Sequence, residues 1–282
     1  MENYTITFIG GGNMAFAIIG GLMRAGVDPQ RIHVVDPDPN ASRRLQETWP
    51  IRVRETLDDE AAMVDIMLLA IKPQVTPDVL KDIKHHLAES DHSPVILSIA
   101  SGISLDTMRN ILGDRPIIRA MPNTPALVGA GITALVGNQS ITEQHQRWAS
   151  DLMSQVGECL WLEQESQMDT VTAVSGSGPA YFFLLAEQLV AAGIAEGLDP
   201  LVAERLVYQT ALGAGEMLKQ SSDNAAALRE RVTSPGGTTE AALAVFQEHH
   251  FEHLVAEAIR AAKKRGQILG KAPSSPSQPK EH

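Results

Sequence analysis

Cysteine is almost absent from this chain, and its scarcity indicates the redox environment. Cys159 is the single cysteine among 282 residues, so no disulfide can form within the chain, as is usual in a reducing compartment. It lies in an apolar, strand-like run without a basic neighbour. This setting predicts a small packed side chain rather than a reactive thiolate.

Basic residues are also fewer than acidic ones. The sequence has 23 Lys and Arg residues against 34 Asp and Glu residues, which gives a net charge of -11. Nucleic acids and anionic membrane surfaces are therefore unfavourable partners, and we expect neither. An anionic small molecule must be bound locally, by helix N-termini and glycine-rich loops, rather than by a basic face.

Long hydrophobic runs are missing as well. No uncharged apolar run reaches the roughly 18 residues that are needed to cross a bilayer. The longest, around residues 182–192, is interrupted by Glu187 and Gln188. The first four residues carry neither the basic nor the apolar region of a signal peptide, so we expect a cytoplasmic protein.

Short apolar runs alternate with helical patterns over the first 162 residues. Alternation of this kind predicts an α/β fold with a mostly parallel, doubly wound sheet, in which the last strands run against the rest. The length suits about two domains, and a hydrophobic content of 44% is enough for their cores. Strands are predicted at residues 5–9, 32–35, 51–53, 66–71, 95–99, 117–120, 133–136 and 159–162.

After a polar connector at residues 163–167 the pattern becomes entirely helical. We therefore predict an N-terminal Rossmann-type dinucleotide-binding domain over residues 1–163 and an all-α dimerisation domain over residues 164–270. The tail at 271–282 is rich in proline and serine, which predicts disorder. Helices of the second domain are predicted at residues 180–194, 201–218, 225–232, 239–247 and 251–267.

The segment at residues 181–186 is apolar on nearly every side of a helix. A bundle of so few helices could not bury this surface alone, so a second copy of the chain is expected to cover it. The alternative is a well-packed monomeric bundle.

The first predicted strand runs directly into a glycine turn and then into a helical segment. Gly10 can make the tight turn, Gly12 lets the backbone approach a pyrophosphate, and small Ala15 lets the helix pack against the sheet. A helix is predicted at residues 13–24, and the phosphates would lie on the N–H groups of its first turn, at Asn13 and Met14. A second strand follows within about 30 residues, as a βαβ unit requires.

The end of the second strand bears on which nucleotide is bound. Asp36 stands where an acid accepts hydrogen bonds from the ribose 2′-hydroxyl, which favours NADH. Against this, Pro37 can turn the side chain away, and Ser42, Arg43 and Arg44 can reach a 2′-phosphate. We expect both nucleotides to work, with NADPH slightly ahead.

Three further islands rich in glycine, serine or proline interrupt the pattern, at residues 119–126, 175–181 and 234–239. The third presents successive backbone N–H groups and three hydroxyls at the start of a helix, where a carboxylate can bind. The alternative is a capped loop between two helices.

Together these islands resemble one family, pyrroline-5-carboxylate reductase, and the resemblance runs from residue 5 to about residue 268. It rests on the segments 10–15, 70–73, 119–126, 175–181 and 234–239 in this order and spacing. The resemblance implies hydride transfer from NADPH or NADH to 1-pyrroline-5-carboxylate, giving L-proline. It also implies a homodimer or a higher assembly such as a pentamer of dimers.

The resemblance also implies roles for individual residues. The Thr239 hydroxyl would face the ring nitrogen, and Lys72, at the carboxyl end of its strand, would act beside the nicotinamide. The substrate would be bound by Ser234, Gly237, Thr238 and Thr239. The cofactor would be bound by Gly10, Gly12, Asn13, Met14, Asp36, Ala70, Lys72, Pro73, Met121, Asn123, Ser175 and Ser177.

Two rival functions stay open at this point. A β-hydroxyacid dehydrogenase would carry a Lys-x-x-x-Asn pair in its helical half, which this sequence lacks. A cofactor-sensing protein without turnover would not need a second anion site such as 234–239. No metal site is predicted, because His249 and His253 have no carboxylate or cysteine cluster to complete a ligand set.

Overall fold

The computed structural model describes residues 3–88 and 92–271, and within them eight strands form one sheet. The strand order is β3-β2-β1-β4-β5-β6-β7-β8. All neighbours are parallel except β6 and β7, so the last two strands run against the other six, as expected. The strands are β1 Ile6–Ile9, β2 Ile32–Val35, β3 Arg52–Arg54, β4 Ile66–Leu69, β5 Val95–Ser98, β6 Ile117–Met121, β7 Gly131–Gly137 and β8 Gly157–Trp161.

The central strands are short apolar runs because helices cover both faces of the sheet. Every residue of β1, β2, β4 and β5 is buried. Ile6 of β1 pairs with Ile32 on one side and with Ile66 on the other. The strand order therefore reverses between β1 and β4, which leaves a crevice beyond their carboxyl ends.

The helices that pack against this sheet lie on both of its faces and enclose two hydrophobic cores. One core contains Phe8, Ile18 and Leu152, and the other contains Leu69 and Leu80. The predicted doubly wound α/β architecture is confirmed. The helices are α1 Asn13–Arg24, α2 Pro39–Thr48, α3 Asp59–Ala62, α4 Thr76–His86, α5 Leu105–Leu112, α6 Glu143–Met153 and α7 Met168–Val171.

Some boundaries differ from the predicted ones. The strand predicted at 66–71 ends at Leu69. The N–H of Ala70 makes the last bond to β1, at the carbonyl of Ile9, and beyond this bond β1 itself turns away at Gly10. Helix α3 was not predicted; it is only 4 residues long and is capped by the side chain of Asp58, which accepts from the N–H of Ala61. The polar connector is partly helical and leads through α7 into a π-helix, Thr172–Gly176.

The chain divides into two compact units. One contains the residues up to Gly176 together with those from Ala262 onward, and the other is Ser177–Ala261. The boundary predicted at residue 163 follows the change from strands to helices in the sequence. Met168 of α7 is fully buried and belongs to a core of the sheet, so this connector is part of the first unit. Except for Lys271, which ends the last helix, the tail predicted to be disordered lies outside the described residues.

The second unit is helical and leaves much apolar surface exposed. On its first helix the side chains of Phe182 and Phe183 are 71% and 68% exposed, and Leu201 of the next is 71% exposed. By length and composition the stretch Glu165–Ala195 could also cross a membrane, although three acidic residues lie within it, Glu165, Asp169 and Glu187. Its helices are α8 Gly178–Ala195, α9 Pro200–Gln220, α10 Ala225–Arg231, α11 Thr238–Glu248 and α12 Phe251–Lys271, whose last residues belong to the first unit.

His33, in the middle of β2, is a buried titratable group. Its Nδ1 is buried and has no hydrogen-bond partner among the described residues. Burial lowers the pKa of His33, and the nearby guanidinium groups of Arg52 and Arg54 lower it further, against a smaller opposing effect of Glu60. Protonation of His33 therefore opposes folding.

We predict that the free energy of unfolding falls as the pH drops below about 6.5, the ordinary pKa of histidine, because the unfolded chain then binds the proton that folded His33 resists. A His33→Val variant should lose this contribution, whose slope is at most about 1.4 kcal/mol per pH unit. Denaturant unfolding at pH 7 and pH 5 measures it, and exposed His253→Gln is the control. Equal pH dependence in the wild-type protein and His33→Val would contradict the prediction.

Candidate cofactor and substrate sites

The glycine loop between β1 and α1 is shaped by its contact with the end of β4. Gly10 has a φ of +99°, in the region that favours glycine. A Cβ atom at this position would lie only 2.5 Å from the carbonyl oxygen of Ala70. The loop therefore lies at the point where the strand order reverses, the usual place for a dinucleotide.

The next part of the loop is open. Gly12 is exposed, and a Cβ atom placed there would have no described atom within 4 Å. Gly12 is the N-cap of α1 and gives the helix no side-chain hydrogen bond. The first amides of α1, at Asn13 and Met14, thus begin a helix that no side chain caps, as a bound pyrophosphate requires. These residues fit a dinucleotide.

Asp36 is half-buried just after β2, and its carboxylate turns toward the glycine loop. Its Oδ2 accepts the N–H of Gly11 at 2.6 Å, and its Oδ1 accepts the N–H of Asp38 at 2.8 Å. Pro37 therefore does not turn the side chain away. Each carboxylate oxygen keeps a further lone pair, with which it could accept a ribose hydroxyl.

The residues after β4 lie along the same edge of the sheet. Ala70 and Pro73 are half-buried, whereas Lys72 is exposed. The carbonyl of Lys72 accepts the hydroxyl of Thr76, the first residue of α4, at 3.2 Å. This bond fixes the backbone of Lys72 beside the crevice and leaves its ammonium group on the solvent side.

Asn123 joins two of the predicted cofactor segments. Its Nδ2 donates to the carbonyl oxygen of Ser175 at 3.2 Å, and its Oδ1 accepts the N–H of Ile132 at 3.0 Å. A Cβ atom at Gly176 would lie 2.6 Å from Cε of Met121. The structure therefore brings the segments around residues 121 and 175 into contact, with the Asn123 amide engaged in holding them together.

The loop before α11 belongs to the second unit and forms a tight turn. The N–H of Gly237 donates to the carbonyl of Ser234 at 2.9 Å, and a Cβ atom at Gly237 would also lie 2.9 Å from that oxygen. Gly236 has a φ of +71°, and its N–H donates to the carboxylate of Glu240 at 2.7 Å. The loop thus already binds one carboxylate through a backbone amide.

Thr238 and Thr239 are the first two residues of α11. The N-cap, Gly237, supplies no side-chain hydrogen bond, so no side chain caps the amides of this helix end. Thr239 is half-buried and Thr238 is exposed. In the same unit Ser177 is the N-cap of α8, and its side chain does not cap that helix.

Two polar contacts were not found from the sequence. Glu240 is the third residue of α11, in the first turn, where the helix dipole favours an acidic side chain. Arg119 in β6 is 7% exposed and pairs with Glu165 at 2.8 Å. An arginine within an apolar strand indicates such a partner, because an unpaired buried charge is costly.

No group of three or more His, Cys, Asp or Glu side chains in the described part of the chain could hold a metal ion. His253 pairs with Glu257 at 3.3 Å, an ordinary contact one turn along α12. The candidate sites therefore consist of backbone amides, hydroxyls, carboxylates and the exposed Lys72.

Two family models match the chain. Residues 165–269 match the model described as pyrroline-5-carboxylate reductase dimerisation. Residues 5–102 match the model described as NADP oxidoreductase coenzyme F420-dependent. The first covers the connector and the helices, and the second covers the glycine loop with β1 to β5.

Curated relatives match over nearly the whole length. The chain is 43% identical over 270 residues to a pyrroline-5-carboxylate reductase of Pseudomonas aeruginosa, covering 95% of this chain and 98% of that protein. It is 41% identical over 264 residues to the enzyme of the same name from Synechocystis, with 93% and 97% covered.

Solved structures match the fold just as completely. A pyrroline-5-carboxylate reductase from Coxiella burnetii has a TM-score of 0.90 and 37% identity, over 96% of this chain and all (100%) of that one. A pyrroline carboxylate reductase from Plasmodium falciparum with NADP bound has a TM-score of 0.81 and 29% identity, with the same coverage. Motifs, fold and full-length relatives agree, and the chain belongs to the pyrroline-5-carboxylate reductase family.

Proposed function

We propose that this protein reduces 1-pyrroline-5-carboxylate to L-proline with NADPH or NADH, the last step of proline biosynthesis. The observation that carries the proposal is similarity over 95% of the chain to a named reductase, because that similarity includes both candidate sites. The glycine loop and Asp36 supply the nucleotide site. The loop at 234–239 supplies a carboxylate site, which a cofactor sensor would not need.

The chemistry requires few catalytic groups. When bound, the reduced nicotinamide supplies a hydride to C5 of the cyclic imine. Such an imine is readily protonated in water, so it attracts the hydride without a strong catalytic acid. The tasks of the protein are then to orient the substrate and to exclude water.

The loop before α11 carries the substrate contacts of this proposal. The substrate carboxylate is bound by the Ser234 hydroxyl and by the amides of Thr238 and Thr239, beside the tight turn that Gly237 makes possible. The Thr239 hydroxyl faces the ring nitrogen. The uncapped start of α11 and the carboxylate of Glu240 on a loop amide support this assignment.

In the same proposal, Lys72 and other residues at the carboxyl edge of the sheet bind the cofactor. Lys72 places a positive charge at the carboxyl edge of the sheet in a protein whose net charge is -11. Met121 and Asn123 line the nicotinamide pocket, with Ser175 held against them by the Asn123 amide. Ser177 follows at the start of α8.

An activity assay tests the function directly. Mixing the protein with 1-pyrroline-5-carboxylate and reduced nicotinamide should consume the nucleotide, with catalytic efficiency slightly higher for NADPH than for NADH. Oxidation of 3-hydroxy acids without imine reduction would support the dehydrogenase alternative. Nucleotide binding without turnover of either substrate class would support a sensor.

Thr239→Ala should lower turnover about 10- to 100-fold with little effect on nucleotide affinity, because it removes one charge-assisted hydrogen bond, worth roughly 1.5 to 3 kcal/mol, to the substrate nitrogen. Thr239→Ser should restore most of the loss. Thr233→Ala is the control, since that hydroxyl donates to the carbonyl of Arg229 within the preceding helix turn. Wild-type kinetics in Thr239→Ala would remove this hydroxyl from the mechanism.

The second unit accounts for self-association in this proposal. Its apolar side chains line a groove of about 630 Å³ that includes Phe182, Leu185 and Phe246, and α8 exposes further aromatic surface. A second copy would cover these surfaces, giving a homodimer and, with further contacts, an assembly such as a pentamer of dimers. Coverage by a second copy also accounts for the exposed apolar side chains of α8 in a soluble, cytoplasmic enzyme that contacts neither membrane nor nucleic acid.

Light scattering at micromolar concentration should give the mass of a dimer or a multiple of it. Phe182→Glu, which places a charge on the exposed face of α8, should shift the mass toward the monomer. Glu196→Lys, in the C-terminal cap of the same helix, is the control for a charge change alone. A monomeric mass for the wild-type protein would contradict the proposal.

A further inference from the structure

The guanidinium group of Arg44 lies at the N-terminus of α1, although Arg44 itself belongs to α2. Its Nη1 donates to Oδ1 of Asn13, the first residue of α1, at 2.9 Å. Its Cζ lies 3.6 Å from the centroid of the Phe16 ring, one turn further along α1. Two contacts with the same helix end therefore hold a long, flexible cation in one place.

The ring beneath Arg44 is itself held in position. The centroids of Phe16 and Trp49 are 4.4 Å apart, and both rings are half-buried. Trp49 follows α2, so the stack joins the two helices that carry Arg44 and Asn13. A cation over an aromatic face is attracted to the ring, and because its side chain is already held in place, it loses less entropy when it binds an anion.

The position of Arg44 distinguishes between two phosphates of the nucleotide. The pyrophosphate lies on the first amides of α1 in a fold of this kind, and Arg44 is bonded to the first residue of that helix. The 2′-phosphate of NADPH would lie beside Asp36, where the adenosine ribose binds. From the sequence alone, Arg44 is a candidate for the 2′-phosphate together with Ser42 and Arg43.

We propose that Arg44, held by Asn13 and Phe16, binds the pyrophosphate that NADH and NADPH share and does not read the 2′-phosphate. The inference rests on the nucleotide dependence proposed above. The guanidinium fork presents several donors, and the bond to Asn13 uses one of them. Arg44 thereby adds affinity for either nucleotide, whereas discrimination between them falls to groups around Asp36.

Isothermal titration calorimetry with two probes tests the proposal without turnover. The probes are ADP-ribose, which has the pyrophosphate alone, and its 2′-phosphorylated form. Arg44→Ala should weaken binding of both probes by the same factor, about 10- to 100-fold, as expected for a lost hydrogen bond to a charged group. Arg44→Lys, which keeps the charge without the planar fork, should weaken both by a smaller common factor.

Two further variants serve as controls. Arg24→Ala removes the same charge from the last turn of α1, at the far end of the 12-residue helix, and should leave both affinities within twofold. Asp36→Ser should change the ratio of the two affinities in favour of the phosphorylated probe. Thermal unfolding of each unliganded variant confirms that it is folded.

The outcomes separate the possibilities. A loss in Arg44→Ala that is confined to the 2′-phosphorylated probe would assign Arg44 to the 2′-phosphate and overturn the proposal. Unchanged affinity for both probes would also overturn it. Failure of the wild-type protein to bind either probe would overturn the cofactor assignment, and this inference with it.

Discussion

The close approach of Gly10 to the carbonyl of Ala70 is the constraint on which the cofactor half of the protein depends. No side chain fits between the ends of β1 and β4, and the φ of +99° would strain any other residue. This contact fixes the position at which β1 ends and the glycine loop begins. The amide of Gly11 then meets the carboxylate of Asp36, and α1 begins beside Arg44. One backbone contact thus sets the places of an acid, a helix end and a cation.

The parts of the fold that local pattern determines could be predicted from the sequence. The first helix begins at Asn13 and ends at Arg24, as predicted, because the glycine loop and the apolar spacing define it locally. The end of β4 and the helical nature of the connector depend on distant partners. Strand β4 ends where its partner β1 turns away at Gly10, and Met168 is helical within a core that the rest of the chain builds.

In the candidate site, too, residues in local motifs could be predicted, whereas contacts between distant residues could not. The glycine turn and Asp36 could be found because each belongs to a motif of fixed local spacing. The bond from Arg44 to Asn13 joins residues 31 apart, and the bond from Asn123 to Ser175 spans 52 residues, so no local spacing indicates either. Glu240 lies only 4 residues from Gly236, in the first turn of α11, so this contact is local in sequence.

The exposed apolar face of α8 has a consequence for how the stability of this protein must be described. When a unit buries apolar surface against a second copy, its free energy of unfolding rises with the concentration of that copy, by mass action. The unfolding temperature of the helical unit should then rise with protein concentration, whereas that of the sheet, whose core is enclosed within one chain, should not. Dilution should therefore destabilise the helical unit, which contains the loop at 234–239, and leave the sheet unaffected.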